Sequence, residues 1–261
     1  MKRTFQTSRA VLVGAIVFCT GNLAFGLELL VNGSLDVPDI HESDVATGWT
    51  LTEGPNTMPD FPEIPVPANS ATFARFADHT SADSSMGRGL WLQSFRGGLN
   101  DEQPPTVFAH LTQDVPGVPG LPYELSAWSR FEAFYPGGVT NLNDGDGDPS
   151  DDGPPSPTDT FLALEFLDAG NSVLPGSVEL DLRTEQTSDN TWRQHFLTGT
   201  APAGTINVRV RGSMTDGVLN PGVNPQSAFL DDFSLRAIPE PASVVLAIVG
   251  FLGVLMLARR R

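Results

Sequence analysis

Four aspartates, Asp144, Asp146, Asp148 and Asp151, stand in the spacing D-x-D-x-D-x-x-D inside the run NLNDGDGDPSDDGPPSP. Alternate side chains in such a loop converge on one point, and a set of hard carboxylate oxygens is what Ca²⁺ takes, so the loop is a candidate calcium site. The EF-hand version of it fails, because Pro149 falls where that loop needs glycine and Pro155 where it needs glutamate. A solvated acidic loop is the alternative reading of the same residues. Other chemistry finds little to work with. His41, His79, His110 and His195 are scattered and form no His-x-x-x-His or His-Glu-x-x-His pair. There is no Gly-x-Ser-x-Gly elbow, and the one cysteine, Cys19, lies in the leading apolar segment. Carboxylates are too abundant for any pair of them to mark a glycosidase acid and base. No enzymatic activity is expected.

Sugar binding is the other chemistry to look for. A sugar ring stacks its C–H face on a flat aromatic surface and offers its hydroxyls to planar polar groups. Trp49, Trp91, Trp128, Trp192 and Tyr123 are available. Trp91, set between Leu90 and Leu92, reads as core. Phe134 and Tyr135 follow a strand-like run and precede Gly137-Gly138, with Arg130 nearby. These three residues are the better surface candidates for ligand contacts, with a purely structural role as the alternative.

The elements that must position such groups are strands. Thr205 to Arg211 alternates strictly, with Ile206, Val208 and Val210 on one face and Asn207, Arg209 and Arg211 on the other. Similar short segments are expected over Leu27–Val31, Gly48–Thr52, Thr72–Ala77, Gly89–Phe95, Thr106–Asp114, Tyr123–Arg130, Thr160–Asp168, Ser177–Leu182, Thr191–Leu197 and Ala228–Leu235. Gly, Pro, Asn and Asp crowd the gaps, and no stretch of helix length shows a 3.6-residue period outside the termini. Strands with turn-rich joints predict an all-β sandwich or barrel. Pro55 to Asn69, with five prolines at 55, 59, 62, 65 and 67, and Gly137 to Pro157 are long polar insertions.

Both ends carry processing signals. Lys2, Arg3 and Arg9 precede the apolar run Ala10 to Thr20, and Ala24-Phe25-Gly26 is a small-x-small cleavage site, so residues 1–26 read as a signal peptide. Phe18 before Cys19 is too large for a lipoprotein signal. At the other end, Pro239-Glu240-Pro241 leads into an uncharged run over 242–258, and the chain closes Arg259-Arg260-Arg261. At about 1.5 Å per residue that run spans roughly 25 Å, enough for a transmembrane helix in a thin bilayer, with the arginines on the cytoplasmic side. Residues 27–241 hold all 31 acidic residues but only nine arginines and no lysine, a formal charge of −22. So acidic a surface repels nucleic acid and excludes DNA or RNA as a partner.

The C-terminal order of parts resembles the PEP-CTERM sorting signal. That resemblance implies exosortase as a partner, cleavage near Pro239-Glu240-Pro241, membrane anchoring before processing, and a destination in the cell envelope or extracellular matrix. Between the termini the motifs come in a particular order: LLVNGSLD (29–36), Gly48-Trp49, HLTQDVPGVPGLPYELSAWSRFE (110–132), FLALEFLDAGNSVL (161–174), TWRQHFLTGTAPAGTINVRVRG (191–212) and AFLDDFSL (228–235). This series resembles the galactose-binding-like jelly roll of xylan- and glucan-binding modules. It implies a jelly-roll β-sandwich over 27–237, exopolysaccharide or another glycan as a partner, and core positions for Tyr123, Trp128 and Trp192. Leu35 and Asp36 stand where that family has Phe and Glu. Alternation sets Asp231 on one face with Phe229, Phe233 and Leu235, where an uncompensated carboxylate is costly. The resemblance implies a structural Ca²⁺ held there by Asp36 and Asp231, with Asp78 as a further ligand. Pairing of Asp231 with an arginine such as Arg236, or a strand-end cap, is the alternative. The expected function is an exported, non-catalytic envelope or matrix protein associated with exopolysaccharide; a carbohydrate-binding module with a defined glycan is the alternative, and a polysaccharide hydrolase a further one.

Overall fold

A computed structural model describes residues 26–37, 45–55, 57–58, 61–65, 71–78, 87–98, 106–144 and 153–238. Among the described residues twelve strands follow one another: β1 (Thr50–Gly54), β2 (Thr57–Met58), β3 (Phe61–Pro65), β4 (Ala74–Asp78), β5 (Arg88–Leu92), β6 (Val107–Pro116), β7 (Pro122–Phe131), β8 (Asp159–Leu167), β9 (Val178–Asp181), β10 (Arg193–Thr200), β11 (Asn207–Gly217) and β12 (Ala228–Ala237). Two five-stranded antiparallel sheets, β1-β6-β11-β8-β9 and β10-β7-β12-β5-β4, face each other, and β2-β3 forms a small hairpin. From β9 onward each successive strand changes sheet, which is jelly-roll winding. The fold is an all-β two-sheet sandwich, as the strand pattern predicts.

Alternation makes the core. In β7, Tyr123, Leu125, Ala127 and Phe131 turn inward and meet Phe166, Val208 and Val210 of the facing sheet. Gly212 of β11 sits where the sheets approach closely: a Cβ there would lie 2.7 Å from the Leu230 side chain and 3.1 Å from the Phe233 ring. Ile206, expected on the buried face, lies just before β11 and is 51% exposed, because the ladder begins at Asn207.

Other boundaries move for local reasons. Leu27–Val31 makes only a single bridge, Glu28 to Arg236, and not a strand. The Leu29 amide meets the Leu235 carbonyl at 2.9 Å, but the Glu28 carboxylate takes the Leu30 amide at 3.0 Å, and the pairing goes no further. The segment beyond it is a turn, with Asn32 Nδ2 donating to the Val37 and Thr47 carbonyls and Trp49 Nε1 donating to the Asn32 carbonyl. Gly48, at φ +87°, belongs to the following turn, so β1 starts later than expected. The expected strand through Phe95 ends at Leu92 and passes into a 3-10 turn, Ser94–Arg96. None of the described helices is long and apolar enough to cross a membrane. The expected signal segment, the 242–258 run and Pro239, Glu240 and Pro241 lie outside the described residues.

Candidate functional site

The outer face of the second sheet is built by the polar half of β7. Glu124, Ser126, Trp128 and Arg130 alternate with its core residues and must point away from the facing sheet. Cross-strand register then fixes their neighbours. Gln194 and Asp231 flank Trp128; Phe196 and Ser234 flank Ser126; Thr198 and Arg236 flank Glu124. Between these rows lies a groove of about 380 Å³, lined by Trp128, Phe196, Gln194, Glu124, Arg236 and Asp232 among others. Phe196 is 59% exposed. It is the diagonal cross-strand neighbour of Trp128, a distance that aromatic side chains bridge.

One end of the groove is closed by Glu28. Its Oε1 accepts from Leu235 N at 2.9 Å, its Oε2 accepts from Ser234 Oγ at 2.5 Å, and Arg236 Nε lies 3.7 Å from Oε2. Beyond the other end runs an aromatic row in which Trp91, Phe229 and Arg130 are paired across strands. The Arg130 guanidinium lies 4.3 Å from the Phe229 ring centre and 5.2 Å from that of Trp192. Trp91 stacks on Phe229 with ring centres 6.5 Å apart. Burial lowers the Arg130 pKa, and the charge of Glu132 partly restores it.

Several expected positions are corrected by these contacts. Trp91, Trp128 and Trp192, read from sequence as core, belong to the outer face; Trp49 and Tyr123 are in the core. Arg130, as expected, is a surface-side residue. Tyr135 is not: it is fully buried, packs against Phe131 with ring centres 4.8 Å apart, and shares a 2.7 Å hydrogen bond with Thr160 Oγ1. Burial pushes its phenol pKa far up. Its side chain follows Phe131 to the inner side while Arg130 points outward, so the two cannot share a ligand. Phe134 is half-buried in the loop after β7, its amide bound by the Pro225 carbonyl at 3.1 Å and its own carbonyl by Asn220 Nδ2 at 2.9 Å.

The last strand departs from simple alternation. Asp231 pairs with Trp128, but Ser234 pairs with Ser126, so β12 carries one extra residue there and Asp232 takes φ +49°. This bulge flips the pattern. Asp231 shares its register face with Phe229 but not with Phe233 and Leu235, which return to the core. Asp231 is fully buried, and its Oδ1 accepts from Asp232 N at 2.7 Å. Arg236, its alternative partner from sequence, is engaged with Glu28.

Asp36 Oδ1 accepts from the Arg88 amide at 2.8 Å, and Arg88 is the cross-strand partner of Asp78. Among the described residues no three His, Cys, Asp or Glu side chains gather. Carboxylates alone therefore make no calcium cage there, and backbone oxygens would have to complete one. Asp144 is exposed; Asp146, Asp148 and Asp151 lie outside the described residues.

A Ser–His contact also emerges. Ser129 Oγ lies 2.8 Å from His195 Nε2 and 2.7 Å from Gln186 Oε1. Gln186 Nε2 is spent on the Thr187 and Thr191 carbonyls, which turns its oxygen toward the serine. The hydroxyl donates its one proton to that oxygen, so it accepts from His195 Nε2–H. In that tautomer the histidine cannot take the serine proton, and both residues are buried. The trio is a satisfied core network.

No protein-family model matches the chain, and no curated protein matches it. Among solved structures, the sandwich is similar to the enzymatically active domain of tailspike protein 4 of bacteriophage CBA120 (14% identity over 84% of this chain, TM-score 0.49). The chain spans 23% of that protein's length. It is also similar to a Stig cyclase from Fischerella sp. TAU (14% identity, 82% of this chain and 98% of the cyclase, TM-score 0.47). The carbohydrate-binding module TmCBM61, solved with β-1,4-galactotriose, is a third (13% identity, 81% of this chain and 99% of the module, TM-score 0.43). At such identity the likeness is one of architecture.

Proposed function

We propose that the outer face of the second sheet binds a glycan, in an exported, non-catalytic protein of the cell envelope or extracellular matrix. The observation that carries this reading is the exposed Phe196 beside Trp128, set in a groove whose other walls are carboxylate, amide, hydroxyl and guanidinium groups. A sugar ring needs those two things together, an apolar plate and a rim of planar hydrogen-bonding groups. An apolar small molecule would want an enclosed pocket, and a nucleic acid is repelled by the charge. Association with exopolysaccharide follows if the terminal segments act as the export and sorting signals they resemble. A glycan array probed with the full-length chain in mild detergent tests the binding. Retention of one polysaccharide class is the expected result, and a blank array overturns the reading.

Calcium is a separate proposal. Asp36 and Asp231, completed by backbone oxygens, would tie the turn that precedes β1 to the closing strand; bound to the folded state alone, the ion would add stability rather than chemistry.

A further inference from the structure

The glycan reading leaves open which sugars enter the groove, and the charges that line it narrow the choice. Glu28 is committed: its two oxygens hold the Leu29, Leu30 and Leu235 amides and the Ser234 hydroxyl, and they draw Arg236 to 3.7 Å. Arg236 stands opposite Glu124 in the ladder but turns toward Glu28. Among the described residues the Glu124 carboxylate makes no hydrogen bond or ion pair, although the residue is half-buried in the groove wall. Asp232, projected from the bulge, adds a further carboxylate. Glu28, Glu124 and Asp232 against Arg236 leave the lining net negative, on a chain whose formal charge is −16.

A half-buried carboxylate without a partner is costly, and a ligand cation relieves that cost through a charge-assisted hydrogen bond. Uronates and sulfated sugars carry the same sign of charge as the lining and are repelled. The aromatic floor works in the same direction, since the faces of Trp128 and Phe196 attract an ammonium as well as a C–H face. We infer that the groove is selective for amino sugars carrying a free, protonated amine, with Glu124 as the residue that reads the charge. This inference rests on the glycan reading and sharpens it.

Two hexamers that differ only in the amine provide the test: glucosamine and N-acetylglucosamine, titrated calorimetrically into the full-length chain in mild detergent, at low salt and a pH that keeps the amine charged. The glucosamine hexamer is expected to bind about tenfold more tightly, as a charge-assisted hydrogen bond implies. Raising the ionic strength to about 0.5 M should shrink that ratio. Glu124→Gln should bring the two ligands within about threefold of each other, while Glu179→Gln on the other sheet should keep the preference. The second variant separates a read site from diffuse attraction to an acidic protein. Equal binding of the two hexamers, tighter binding of the acetylated one, or a preference that survives Glu124→Gln overturns the inference and leaves glycan binding standing. If neither hexamer binds and the array is also blank, the underlying reading fails instead.

Discussion

Single side chains separate the proposed binding groove from the core. Phe196 is exposed, so Phe196→Ala should change stability by no more than about 0.5 kcal/mol and act on binding alone. Ser129 is the contrasting case. Ser129→Ala leaves Gln186 Oε1 and His195 Nε2 without their common partner in the interior, at a cost of about 1–3 kcal/mol read from denaturant unfolding. The histidines also set a pH dependence. Burial lowers the pKa of His195, with Arg193 adding to the shift and Glu185 opposing it; burial and Arg211 lower that of His110. Above the ordinary histidine value of about 6.5 both are neutral, folded or unfolded, and nothing changes. Below it the unfolded chain takes up protons that the folded chain refuses, so stability should fall as pH drops through that value. His195→Gln should flatten part of that fall in a melting series from pH 7.5 to 5.

At the scale of elements, much of the sandwich was legible because period-two alternation is set by the backbone itself. The strands from β6 to β12 lie where the pattern puts them, within about three residues, except that β11 runs on from Arg211 to Gly217. The groove could have been read from the same signal: in YELSAWSRF, Trp128 falls in phase with Glu124 and Arg130, not with Tyr123 and Leu125. The expectation of a core Trp128 followed the family resemblance rather than phase. The β12 bulge was not legible, because one inserted residue leaves no mark in composition yet reverses the phase of everything after it. Tyr135 was misplaced for a related reason: the chain turns back after Phe131, and alternation says nothing about a turn. Two substitutions probe this level. Gly212→Val should overpack the space beneath Leu230 and Phe233 and lower stability by about 1–3 kcal/mol in chemical denaturation. If Asp36 and Asp231 share a Ca²⁺, chelator should lower the wild-type melting temperature, by the equivalent of about 2.7 kcal/mol at a hundredfold excess of ion over Kd, and barely move Asp231→Asn. A wild type indifferent to chelator removes calcium from the account.

For the molecule as a whole, charge, export and recognition form one argument. Nine arginines against 31 acidic residues between the termini give that region a strongly negative charge, which under the proposed reading disfavours nucleic acid and favours cationic or neutral partners. The terminal segments bear on where it meets them. In a host with exosortase, Pro239→Ala combined with Pro241→Ala should leave an uncut, membrane-held protein on immunoblots of fractionated cells, and equal release of mutant and wild type would dismiss the sorting proposal. The central claim is narrower, that glycan is bound on the outer face of the second sheet through Trp128 and Phe196. Calorimetric titration of wild type and Phe196→Ala with the glycan retained on the array tests it most directly. Phe196→Ala is expected to lose about tenfold or more in affinity, the worth of about 1.4 kcal/mol of stacking, with an unchanged melting temperature. Undiminished affinity in the variant would place the binding surface elsewhere and contradict it.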